Sequence, residues 1–101
     1  MSEVVDVDRI AAAVLGTPGV AALHAGAFGE VGTYLPGRRV AGVRQGDDGT
    51  HVHVVLDWDA EVLKVGDAVR TAVESLTQGP VHVVVEDIED PHASPENTTA
   101  P

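Results

Sequence analysis

The sequence predicts a small α+β domain of two layers, with two helices packed on one face of a mixed three- to four-stranded sheet. Three observations predict it: an alternating stretch from Thr50 to Trp58, an amphipathic stretch from about Glu61 to Thr77, and a second apolar stretch from Val81 to Ile88. In the first, Val52, Val54, Leu56 and Trp58 alternate with His51, His53 and Asp57, the period of two of a strand with one buried face. In the second, Val62, Val65, Val69, Ala72, Val73 and Leu76 form one stripe, while Lys64, Asp67, Arg70 and Glu74 fall outside it. Strand, helix and strand with almost nothing between them make a βαβ unit. Such crossovers are nearly always right-handed, so the two strands are expected to be parallel and either adjacent or one position apart.

The remaining elements are read in chain order. Residues 1–5 are expected to be a frayed lead-in. Asp6 is placed to cap a helix with the stripe Val7, Ile10, Ala11, Val14 and Leu15; Gly16 suits its end and Pro18-Gly19 stops it. Val20 to Ala25 is a candidate strand, and Glu30 to Leu35 another. Leu35-Pro36-Gly37 signals a turn, because Pro fixes φ and Gly accepts φ > 0. Val40 to Gln45 is read as the next strand, and Gly46-Asp47-Asp48-Gly49 as a tight hairpin turn into Thr50. The domain is thus expected over residues 6–88. From Glu89 on, Pro91, Pro95 and Pro101 stand among Ser, Thr, Asn and Glu, and a disordered tail is expected over 89–101.

At 101 residues there is room for one core, and with only one Trp, one Tyr and one Phe, Val and Ala must fill it. The formal net charge of -10, from 16 acids against 6 bases, repels phosphate backbones and anionic headgroups, so neither nucleic-acid binding nor direct membrane binding is expected. No apolar run is long enough to span a bilayer, and the start carries Glu3, Asp6 and Asp8 rather than the basic flank of a secretory signal. A cytoplasmic location follows as the expectation, peripheral to the membrane only through a partner. Cysteine is absent, which excludes disulfides and thiolate metal sites.

No catalytic pattern is found: no phosphate-binding loop, no dinucleotide fingerprint, no His-Glu-x-x-His and no nucleophile elbow. The chain is expected not to be an enzyme and to need no cofactor. Three features remain as candidate sites. His51 and His53 project to one face of their strand and His82 opens the other, so three imidazoles approach one another if the register allows, a set that suits zinc, copper or nickel. The alternative reading is of half-exposed sheet residues, and no acid stands at a ligand-like spacing to complete the set. Arg38, Arg39 and Arg44 make a basic cluster that reads either as a docking patch for an acidic surface, such as Asp87, Glu89 and Asp90 of another copy, or as a solvated loop with partners inside the chain. The sheet face away from the helices is expected to carry Val55, Val84 and Ile88 beside the three histidines, apolar enough for a partner surface.

The opening helix with Gly16-Thr17-Pro18-Gly19-Val20 at its end, the segment Leu35-Pro36-Gly37-Arg38-Arg39-Val40, the hairpin strand, and Gly79-Pro80-Val81-His82-Val83-Val84-Val85-Glu86-Asp87-Ile88 together resemble the alkaline shock protein family of envelope stress response proteins, in a short actinobacterial-type form. The resemblance covers about Asp6 to Ile88. It implies a non-catalytic cytoplasmic α+β domain of the cell envelope stress response that, in some members, is tethered to the membrane by a partner protein and self-assembles. The family supplies no catalytic residues. The segment between strand and second helix is compressed here and the tail is short and Pro-rich, departures that bear on filament formation and tethering.

Overall fold

The computed structural model describes residues 6–90; the lead-in expected over 1–5 and nearly all of the expected tail lie outside the described residues. The elements run α1 (Val7–Leu15), β1 (Val20–Leu23), β2 (Gly32–Leu35), β3 (Arg38–Ala41), β4 (Val43–Gly46), β5 (Gly49–Asp57), α2 (Val62–Glu74) and β6 (Val81–Glu89). The architecture is the expected α+β one, with a second, two-stranded sheet made by β2 and β3. β5 and β6 are parallel neighbours around α2, with Thr50 opposite Val81 and His51 opposite His82.

β5 organises the molecule. Its inward residues Val52, Val54 and Leu56 are fully buried, together with Ile10 and Val14 of α1 and Val69 and Val73 of α2, so both helices cover one face of the sheet. Each such aliphatic, fully buried, stabilises the fold by roughly 1.5–3 kcal/mol relative to exposure. Asp6 caps α1 as its sequence position suggests, accepting the Asp8 N–H at 2.9 Å. Glu61 precedes α2 without a side-chain cap, so this helix is held by its buried stripe.

β6 occupies one edge of β5 along its whole length, which leaves a single opposite edge for β1 and β4. They share it end to end: the His53 carbonyl accepts from His24 N–H at 2.8 Å, and His53 N–H donates to the Gly42 carbonyl at 2.9 Å. The expected single strand from Val40 to Gln45 is therefore two strands. Gly42 breaks it at φ 86°, and a Cβ there would lie 2.7 Å from Leu23 Cβ and 3.1 Å from the His53 carbonyl oxygen. Between the two shared strands the chain leaves the sheet, forms the β2–β3 hairpin through the Pro36-Gly37 turn, and returns. Arg38 ties this hairpin to α1 through both oxygens of Asp8, and Thr33 Oγ1 donates to the Val43 carbonyl at 2.6 Å.

Two further expectations are corrected. Trp58 does not face the helices: β5 ends at Asp57, whose carbonyl accepts from Ala60 N–H in a turn, and the indole is exposed. Ile88 does not lie on the face away from the helices. The β5–β6 register shifts between Val54↔Val85 and Val55↔Asp87, so Glu86 is an extra residue in the strand and Ile88 stands opposite the inward Leu56.

Candidate functional site

The parallel register brings His51 and His82 side by side on the uncovered face of the sheet. Their rings stack with centroids 4.6 Å apart and planes inclined by 25°. Asp48 joins them from the two-residue turn between β4 and β5, where Gly46 pairs with Gly49. Its carboxylate oxygen lies 2.9 Å from His51 Nε2, and its backbone carbonyl lies 2.9 Å from His82 Nε2. The ligand-type atoms of Asp48, His51 and His82 all fall within 4.8 Å of one another. The hydrogen bond with His51 holds the Asp48 carboxyl below its usual value near 3.8, with smaller help from the charges of His51 and Arg44.

His53 does not complete this group. Its Nδ1 lies 2.5 Å from Glu86 Oε2, and both side chains are mostly covered. Glu86 follows His82 and Val84 in the outward alternation of β6, two residues beyond the partner of His53, and the irregularity there removes Ile88 from this face. Val55 and Val84 remain on the face, Val84 with 39% of its surface exposed.

Comparison of the chain with protein-family models, with curated proteins and with solved structures found no match. The functional reading therefore rests on the residues themselves.

The three arginines do not form one patch. Arg38 is committed to Asp8, with contacts of 2.9 and 2.5 Å. Arg39 lies over the Tyr34 ring, 5.3 Å from its centroid, and donates to the Gly29 carbonyl at 2.6 Å; its Nε is buried without a partner among the described residues. Arg44 stands opposite His51 on β4, exposed on the uncovered face. Two of the three thus have partners inside the chain.

A second surface lies on the other side of β6. The first residues of α2 and the inward side of β6 line an open groove of about 970 Å3, with Val62, Leu63, Gly66, Arg70, Val83 and Val85 along it. Leu63 is 88% exposed. The outer edge of β6 pairs with no strand among the described residues. No helix of the described residues is long and apolar enough to cross a membrane.

Sequence reasoning missed Asp48 and Glu86 as site residues. Asp48 carries a usable signal, an acid three residues before an outward strand histidine across a two-residue turn. Glu86 carries one as well, falling two residues after Val84 in the outward alternation of its strand.

Proposed function

We propose that this chain is a non-catalytic structural or adaptor protein of the envelope stress response type, cytoplasmic, acting through protein–protein contacts and self-association. The observation that carries this reading is the free edge of β6, nine residues from Val81 to Glu89 bonded on one side to β5 and unpaired on the other among the described residues. Unpaired N–H and C=O groups along such an edge are a template for a further strand. The groove beside it adds apolar area, with Leu63 standing at its rim. Charge selects the orientation of a second copy. Glu86, Asp87 and Glu89 crowd the C-terminal end of β6, so an antiparallel β6 keeps the two acidic ends apart, whereas a parallel one sets them side by side.

The resemblance to the alkaline shock protein family supports the same reading, since it implies a domain without catalysis that self-assembles in some members. The uncovered sheet face, with Val55 and Val84, is then available to a different partner, including a membrane-anchored one. Sedimentation velocity at rising concentration tests the proposal. The wild type should shift from monomer to dimer or larger species, and Leu63→Glu should stay monomeric with an unchanged melting temperature because that side chain buries almost nothing in the monomer. A wild type that remains monomeric at every concentration refutes it.

A further inference from the structure

We infer that Asp48, His51 and His82 form a binding site for a divalent transition-metal ion of the zinc or nickel kind. Two imidazole nitrogens and one carboxylate oxygen are the donor set that such ions prefer over calcium or magnesium, which take oxygen ligands. The distances fit. Bonds of about 2.0–2.1 Å in a tetrahedron hold neighbouring ligand atoms roughly 3.4 Å apart. The Asp48–His51 pair at 2.9 Å opens by about half an ångström to reach that spacing, and atoms up to 4.8 Å apart close by about 1.5 Å. Asp48 and His82 are exposed, so side-chain rotation accomplishes this without disturbing the core.

The backbone beneath the three ligands is fixed. His51 and His82 are register partners in the β5–β6 ladder, and the turn carrying Asp48 is closed by the Gly46–Gly49 pair. Gly49, at φ 116°, lets the chain pass so close to Pro80 that Thr50 N–H reaches the Pro80 carbonyl at 2.9 Å, locking the turn to the start of β6. The three side chains therefore project from elements that cannot drift apart separately. In the metal-free protein the Asp48 carboxylate and carbonyl accept the Nε2 hydrogens of the two histidines. An ion bound at Nε2 needs the other tautomer, so each neutral ring moves its hydrogen from Nε2 to Nδ1 as the ion enters.

Three protein ligands leave a fourth position for water or a partner's side chain. His53 does not fill it, being held by Glu86 and two residues further along the strand. Arg44, opposite His51, opposes a cation by its charge, while the adjacent Asp47 favours one.

The test is calorimetric titration of the full chain with zinc chloride and with nickel chloride. Saturable binding of one ion per chain is expected. His82→Ala and Asp48→Asn should each weaken it by at least about tenfold, the loss that even an outer-layer partner of a metal ligand produces. Arg44→Gln should tighten it, and His92→Ala, beyond the described residues, should leave it unchanged. Histidine ring NMR gives an independent readout, in which His51 and His82 shift on zinc addition and His24 does not. Absence of saturable binding overturns the inference, as does binding that survives Asp48→Asn and His82→Ala while disappearing in His92→Ala.

Discussion

Replacing Gly49 with alanine should lower stability by about 2–4 kcal/mol. A Cβ at that position would sit 2.3 Å from the Pro80 carbonyl oxygen and 3.1 Å from its carbon, backbone atoms with no rotamer by which to retreat. The residue also has φ 116°, a conformation that side chains rarely adopt and that costs of the order of 1–3 kcal/mol. Moving Pro80 away breaks the Thr50 N–H to Pro80 hydrogen bond, worth about another 0.5–1.5 kcal/mol. For a domain of this size the sum is a fall in melting temperature of about 10–20 °C. Thermal and urea unfolding followed by circular dichroism measure it. The strain falls where the hairpin turn meets the start of β6, so the His51–His82 stacking should loosen as well, visible as a change in the histidine ring spectra at temperatures where the variant is still folded. A variant within about 0.5 kcal/mol of wild type, the range of an ordinary surface change, would refute the reasoning about this junction.

Other substitutions test different parts of the structure. Gly66→Ala lies within α2 with no atom within 4 Å of the added Cβ, so the variant should be more stable by about 0.5–1 kcal/mol in urea unfolding; a loss would mean that the groove is tighter than described. Acid should erode stability through three carboxyls held below their ordinary values: Asp8 by its hydrogen bond with Arg38, Glu30 chiefly by backbone N–H groups including that of Phe28, and Asp48 by His51. A depressed native pKa gives stability that is present above the unfolded value and lost as pH falls through the native one, so the loss belongs below about pH 4. All three groups are at the surface, which keeps the effect small, and the double variant Asp8→Asn, Asp48→Asn should flatten the acid limb of a urea-midpoint profile. An acid limb as steep as that of wild type would assign the loss to other groups.

Much of the fold was legible because two periodicities agree. The alternation of Val52, Val54 and Leu56 and the helix stripe through Val69 and Val73 each point inward, and the structure buries these five, while Val62 at the start of the stripe is exposed. The hairpin turn at Gly46–Gly49 was legible from its composition alone. The division of the 40–45 segment was not, since the need for Gly42 arises from the approach of Leu23 and His53, which lie far away in sequence. Trp58 continued the alternation of β5 on paper, but the chain turns before reaching it. The irregularity at Glu86 was hidden in a run of valines, and one extra residue was enough to move Ile88 to the other face.

The candidate site shows the same division. That His51 and His82 meet depends on register, and the parallel βαβ reading made their meeting conditional on a pairing the structure then supplies. Asp48 was read for its turn-forming chemistry, so its carboxylate went unused. Arg38 and Arg39 were read beside Arg44 as one cluster, yet only distant parts of the chain, Asp8 and the Gly29 carbonyl, could show that two of them have partners.

Amide hydrogen exchange along β6, measured at low and high protein concentration, tests the self-association most directly. If a second copy adds to the free edge, slow exchange should spread to the outward-facing N–H groups between Val81 and Glu89 as concentration rises, while the β2–β3 hairpin, which forms a separate sheet, stays unchanged. Exchange along β6 that is identical at both concentrations would contradict the proposal.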